Sequence, residues 1–172
     1  GGGHGQVWQE MDTEAQKYAS LLVALGAAVT LGAAWFFQLV MGLVPCPLCL
    51  DQRIAYYAAV PLGLVLAVMA GRGHGTVARG GLWLLALLML GNMGLAIYHA
   101  GVEWHFWQGP TTCSGGAPVA VSDILSALKT AHVPRCDEAA WRLLGISMAG
   151  WNALIALVLA LIAIGGARAR MR

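Results

Sequence analysis

Four long apolar segments constrain the fold of this chain more than any other feature of its sequence. They run from Tyr18 to Val44, from Ile54 to Ala70, from Gly80 to Gly101 and from Leu143 to Ala167. A transmembrane helix needs roughly 20 predominantly apolar residues. Three of the segments reach that length, and the second comes close to it. The pattern predicts an all-α membrane protein, built as a bundle of four transmembrane helices.

The composition indicates that the partner of this chain is a lipid bilayer. Of the 172 residues, 59% are hydrophobic and only 10% are charged, whereas a soluble domain carries about 25% charged residues. The formal net charge is +2, and no basic block is present. Nucleic-acid binding therefore has no support.

The segments divide the chain into three parts. We expect a leader over residues 1–17, the four-helix domain over residues 18–167 and a basic tail over residues 168–172. The glycine-rich start indicates a flexible leader over residues 1–10 that could be foreign to the natural chain, with Met11 as a plausible natural start.

The cations predict the orientation in the membrane. One set lies in short connections close to the helix ends, and comprises Lys17, Arg72, Arg79, Arg168, Arg170 and Arg172. The positive-inside rule places these residues in the cytoplasm together with both termini. All four cysteines then face the outside, which in a bacterium is the oxidising periplasm and suits disulfides.

A long outer loop is predicted between the third and fourth segments, roughly from Val102 to Arg142. Within it Val121, Ile124, Leu125 and Leu128 recur at helical spacing. This pattern indicates a short interfacial helix, which could lie on the membrane surface or pack on the protein itself.

The cysteines carry the most informative motif. Cys46 and Cys49 form a C-x-x-C pair directly before the second segment, and Arg53 follows Cys49 by four residues. A helix N-terminus and a nearby cation both favour a thiolate. We therefore expect a redox-active pair at the membrane surface, with Cys49 as the thiolate and the Arg53 cation facing its sulfur.

The other two cysteines, Cys113 and Cys136, fall in the outer loop. Four cysteines allow three disulfide connectivities. A Cys113–Cys136 disulfide could be a plain staple, contributing on the order of 3 kcal/mol by the loop-entropy model. A zinc site would favour a second closely spaced pair, so no metal is expected. Covalent haem attachment needs a histidine where Leu50 stands.

The run Pro45-Cys46-Pro47-Leu48-Cys49, followed by Arg53, four spans and a later loop pair, resembles the bacterial disulfide bond formation protein B (DsbB) family. The run from Tyr98 to Glu103, continuing to Cys113, is similar to one branch of that family, as is the run from Gly145 to Ala149. The resemblance covers the chain from about Tyr18 to Gly166.

The resemblance implies a quinone-dependent oxidoreductase that reoxidises a periplasmic DsbA-like thiol oxidase. Cys113 would be attacked by the thiolate of this partner, and Cys136 would be its disulfide mate. Electrons would then reach Cys46 and Cys49, and Cys49 would face the quinone, either ubiquinone or menaquinone. Arg53 would stabilise the Cys49 thiolate.

Further residues are candidates for the quinone site. His99 and Glu103 are four residues apart and share one helical face, where they could assist proton transfer. Trp35 could line the site, although tryptophans are also common in interfacial belts. Asn92, Asn152 and Gln38 are expected to bridge helices.

Two alternatives remain open. A vitamin K epoxide reductase-like enzyme also joins four helices to quinone chemistry, but there the C-x-x-C pair follows the loop pair, whereas here it comes first. A non-enzymatic membrane scaffold with two structural disulfides is the second alternative.

Overall fold

A computed structural model describes residues 2–110 and 136–169 of the chain. Its four helices are α1 (Gly3–Leu39), α2 (Pro47–Gly71), α3 (Gly75–Glu103) and α4 (Met148–Arg168). Each is long and apolar enough to cross a membrane, which confirms the predicted four-helix membrane fold. Cys113 and the surface helix predicted around Ile124 lie outside the described residues.

Helix α1 starts earlier than the apolar pattern predicts. It is continuous from Gly3, so the expectation of a flexible segment is wrong for residues 3–10. After the opening glycines this region holds good helix formers such as Gln6, Gln9 and Glu10, and the helix reaches the first buried residue, Gln16, without a break. The apolar window missed these turns because they are polar.

Helix α2 also begins before its apolar segment. Cys46 is the N-cap with extended backbone angles, and Pro47 occupies the first helical position. A proline is favoured there because its φ angle suits a helix start and its missing N–H would be unpaired anyway. The helix therefore starts at Pro47 and not near Cys49 or Ile54. The polar run from Asp51 to Arg53 lies within it.

The link between α2 and α3 is only three residues long, from Arg72 to His74. Gly73 adopts a φ of +83°, which glycine tolerates without strain. The His74 amide donates to the Met69 carbonyl oxygen at 2.9 Å and satisfies a carbonyl that the helix end leaves open. The connection expected from Gly71 to Arg79 is thus mostly helical.

A small hairpin stands where the start of the fourth helix was expected. Strands β1 (Arg142–Leu143) and β2 (Ile146–Ser147) pair antiparallel, joined by Leu144 and Gly145, which both have positive φ. Two positive φ values are typical of the tight turns that match strand twist. The expectation that α4 begins at Leu143 is wrong: it begins at Met148, where the Ser147 hydroxyl accepts from the Gly150 amide as N-cap.

The helices surround a core rich in small residues. Helices that follow one another along the chain pack together, and α1 also packs against α4, which closes the bundle. Gly63 of α2 lies so close to α1 that a Cβ there would stand 2.9 Å from the Ser20 carbonyl oxygen. Such small residues let helix backbones approach within a membrane. Gly32, by contrast, faces open space.

The outer faces of the helices are apolar. Large side chains that are more than half exposed include Leu25, Val29, Leu84, Leu87 and Leu161. Water would disfavour so much exposed apolar surface, whereas lipid would not. The fold thus presents its apolar faces to a bilayer, with the C-x-x-C pair at one end of the bundle, here termed the cysteine end.

Candidate active site

The dithiol of Cys46 and Cys49 lies at the start of α2, with Cys46 as the N-cap and Cys49 in the first turn. Their Sγ atoms are 3.3 Å apart, longer than the roughly 2.05 Å of a disulfide, and both thiols are free. Cys46 is buried and Cys49 is half-buried. The two sulfurs therefore lie in contact as a pair of thiols.

The Cys46 thiol loses its proton more readily than an ordinary thiol. A hydrogen bond from Cys49 holds the pKa of the Cys46 thiol well below its ordinary value, and the contact with His99 lowers it further, against the opposite effect of burial. Cys46 is thus the favoured thiolate of the reduced pair. The sequence predicted a thiolate at Cys49, and that assignment stays a prediction.

His99 and Glu103 come together with the dithiol at the end of α3. Both side chains are buried, and His99 Nε2 lies 3.4 Å from Glu103 Oε1. The same nitrogen is 3.6 Å from Cys46 Sγ. The shared helical face expected for these two residues is present, and it faces Cys46.

Arg53 makes contacts with α1 that the sequence did not predict. Its guanidinium donates to Gln38 Oε1 at 2.6 Å and to the Ala34 carbonyl oxygen at 3.4 Å, and it lies 5.5 Å from the centroid of the Trp35 ring. Its polar contacts are therefore directed to α1. The predicted bridging role of Gln38 is confirmed, because it joins α1 to α2.

Sequence reasoning missed Gln52. Its side chain is buried between His99 and α4: Nε2 lies 2.7 Å from His99 Nδ1, and Oε1 accepts from Asn152 Nδ2 at 2.6 Å. Asn152 Oδ1 in turn accepts from the Tyr56 hydroxyl. Asn152 thus bridges helices as predicted. Gln52 could have been suspected only as a polar residue on the inward face of a membrane helix, one position before Arg53.

A cavity of about 290 Å³ opens beside Cys49. Its walls are mostly apolar, and the polar side chains that reach it are few. The apolar walls include Leu31, Phe37, Trp151 and Ile155, and the polar groups include Cys49, Arg53, His99 and Asn152. Trp35 and Glu103 do not line it. A mostly apolar cavity with a few convergent polar groups is typical of a small-molecule site.

Cys136 reaches the dithiol from the other side. It is fully buried and packs in one cluster with Cys46, Leu48 and Val102. It is disulfide-bonded, and its mate lies outside the described residues. Thiol–disulfide exchange requires one cysteine pair to approach another, and this cluster places Cys136 close to Cys46. The fold and the site therefore define a membrane-bound thiol–disulfide oxidoreductase.

Comparison with known proteins identifies the family. The profile of the family described as "Disulfide bond formation protein DsbB" matches residues 16–165. The disulfide bond formation protein B of Marinobacter nauticus is 32% identical over 141 residues, covering 77% of this chain and 80% of that protein. That of Verminephrobacter eiseniae is 30% identical and covers 96% of both. A probable disulfide formation protein of Deinococcus radiodurans is 36% identical over 64% of this chain and 65% of its own length.

The chain belongs to the DsbB family of disulfide oxidoreductases. This membership confirms the resemblance seen in the sequence. It disfavours the vitamin K epoxide reductase-like alternative and the non-enzymatic scaffold.

Proposed function

We propose that this protein reoxidises a DsbA-like thiol oxidase in the bacterial periplasm and passes the two electrons to a quinone of the inner membrane. The observation that carries the proposal is the position of the dithiol. Cys46 belongs to the same packed cluster as the disulfide-bonded Cys136, while Cys49 lines the cavity. Electrons that enter at one cysteine pair can thus leave from the other.

The proposed orientation rests on the ends of the bundle. Arg72 and Arg168 lie at the ends of α2 and α4 that are opposite the cysteine end. Cations close to span ends favour the cytoplasm. Both termini would then be cytoplasmic, and all four cysteines would face the periplasm.

The first exchange uses the loop cysteines. We assign Cys113 as the disulfide mate of Cys136 and as the sulfur that the partner's thiolate attacks. A mixed disulfide forms between partner and Cys113, while Cys136 leaves as a thiolate. The second thiolate of the partner then attacks the mixed disulfide and releases Cys113, so the partner becomes a disulfide and Cys113 and Cys136 become a dithiol.

The second exchange moves the electrons into the membrane. The Cys136 thiolate attacks Cys46 of an oxidised Cys46–Cys49 pair, which forms a Cys136–Cys46 bond and releases Cys49 as a thiolate. Cys113 then attacks Cys136 and releases Cys46. The loop disulfide is restored, and Cys46 and Cys49 hold the two electrons as a dithiol.

The residues around the cavity fit a quinone. The apolar walls suit its ring and substituents, and Arg53 supplies a permanent positive charge near its oxygens. When bound, a quinone supplies a two-electron, two-proton acceptor and becomes a hydroquinone. Cys49 would face the quinone. His99, on the cavity wall, would assist proton transfer to it, and Glu103 would act through its contact with His99. Trp35 would act through its contact with Arg53.

The proposal predicts quinone-dependent turnover. Purified protein should oxidise a reduced thioredoxin-fold partner when ubiquinone or menaquinone is supplied, as measured by partner thiol loss. Cys49→Ser should abolish quinone reduction, because the electrons could no longer leave the dithiol, and a partner variant that lacks its second thiol should be trapped as a mixed disulfide through Cys113. Turnover that is independent of added quinone would contradict the proposal, and trapping only in the absence of Cys113 would reverse the two loop roles.

A further inference from the structure

Cys46, Cys49 and His99 bring two sulfurs and an imidazole nitrogen within 4.8 Å of one another. Such a cluster can hold a soft metal ion, or it can place a proton donor beside a thiolate. The position of the proton on His99 decides between these two uses. A histidine that binds a metal through one ring nitrogen normally donates the other N–H to an acceptor.

The group beside the other ring nitrogen is the Gln52 side-chain amide. Its Nε2 lies 2.7 Å from His99 Nδ1 and 3.1 Å from the Leu48 carbonyl oxygen. An amide can be turned over so that its oxygen and nitrogen exchange places. Turned over here, its oxygen would meet the Leu48 carbonyl oxygen, which can only accept. The Leu48 carbonyl therefore fixes Nε2 as the atom that faces His99.

This orientation determines the histidine tautomer. Because Gln52 Nε2 can only donate, His99 Nδ1 must accept, and the ring proton of a neutral imidazole must sit on Nε2. The atoms near Nε2 agree with this assignment. Glu103 Oε1 at 3.4 Å and Cys46 Sγ at 3.6 Å are both groups that can accept a hydrogen bond.

We propose that Gln52 is a positioning residue that holds His99 as the Nε2–H tautomer, so that the imidazole donates towards Cys46 and Glu103 and offers no lone pair to a metal. In this way the dithiol stays available for exchange. This role rests on the proposed function, although the tautomer itself can be measured without any quinone.

The direct test is nitrogen NMR of the reduced full-length protein with ¹⁵N-labelled histidine side chains. The chain has five histidines, and loss of one signal in His99→Gln identifies the residue. We expect a protonated Nε2 and an unprotonated Nδ1 in the natural sequence. In Gln52→Glu the carboxylate accepts from Nδ1, so the protonated nitrogen should switch. Gln52→Met, whose side chain neither donates nor accepts a hydrogen bond strongly, should give His99 nitrogen shifts that average over the two tautomers.

The matched control is Ser20→Ala. Ser20 is also buried and hydrogen-bonded within its own helix, to the Gln16 carbonyl oxygen, but it lies on α1 and has no contact with His99. Its variant should leave the His99 shifts unchanged. A protonated Nδ1 in the natural protein, or identical His99 shifts in Gln52→Glu and the natural protein, would overturn the proposal.

Zinc binding provides a second readout. In Gln52→Glu the Nε2 lone pair would face both sulfurs, and we expect the reduced variant to bind Zn²⁺ at least tenfold more tightly than the natural protein. Cys46→Ser in the same background should remove the gain. Equal zinc affinity of variant and natural protein would count against the tautomer assignment. Absence of quinone turnover with an intact Nε2–H signal would contradict only the proposed function.

Discussion

The neighbours of Cys46 perturb its thiol electrostatically. The pKa of its thiol is lowered first by the hydrogen bond from Cys49 and then by His99, while burial acts in the opposite direction. A folded pKa below the ordinary thiol value means that the folded dithiol gains stability from this thiolate. The gain is fully present above the ordinary pKa and is lost as the pH falls through the folded one.

This signature predicts the pH profile of alkylation. In the reduced protein, Cys46 should react with iodoacetamide at a rate that hardly changes from pH 8 down to pH 6, whereas an ordinary thiol slows by about tenfold per pH unit below its pKa of about 8.5. Peptide mass spectrometry after timed quenching measures the rate. In Cys49→Ala the profile should move to higher pH, because the hydrogen bond that contributes most to lowering the Cys46 pKa is gone. An ordinary thiol profile in the natural protein would contradict the assignment.

At the scale of the elements, close contact between α1 and α2 sets the position of the dithiol. Gly63 admits this contact, because any Cβ there would meet Ser20 and Ala24 at 2.9 Å. The polar contacts of Arg53 with α1 lie further along the same interface. A shift between these two helices would therefore move the wall of the cavity.

We predict that Gly63→Leu lowers the stability of the bundle by about 1–3 kcal/mol, the usual cost of overpacking. The thermal midpoint of the purified protein in detergent would fall accordingly. Gly32→Ala is the matched control, since a Cβ there meets nothing within 4 Å, and the exchange should raise helix stability by up to about 1 kcal/mol. Equal midpoints for both variants would show that the α1–α2 contact is looser than described.

At the scale of the whole molecule, the bundle separates two chemical environments. One end carries the dithiol, the buried His99–Glu103 pair and the aromatic residues Trp104 and Trp107. The other end carries Arg72 and Arg168. Among the described residues, the dithiol and the cations Arg72 and Arg168 therefore lie at opposite ends of the bundle.

The topology can be tested with single cysteines in a cysteine-free variant. Thr76→Cys, near the short α2–α3 link, should resist a membrane-impermeant thiol reagent applied to spheroplasts. Gln108→Cys, beyond α3 at the cysteine end, should react. Labelling after membrane permeabilisation shows that both thiols are accessible in principle. The reverse pattern would invert the proposed orientation.

Much of the fold could be predicted from the sequence because lipid imposes a simple rule. Every backbone polar group within the membrane must be paired internally, so four apolar segments of sufficient length specify four helices. The C-x-x-C pair and the one-turn spacing of His99 and Glu103 are likewise local features. The helix starts at Gly3 and Pro47 were missed because polar turns extend a helix without an apolar signal. The hairpin before Met148 was missed because its apolar residues continue the fourth apolar segment.

The sequence by itself thus determined the membrane bundle, the dithiol at its end and the helical face shared by His99 and Glu103, since each depends on short-range spacing or on hydrophobicity. Only the tertiary structure decided which partners these groups contact. It placed Arg53 against α1 and His99 beside Cys46, and it brought Gln52 between His99 and Asn152. These contacts join residues from different helices, and their geometry depends on how the helices pack.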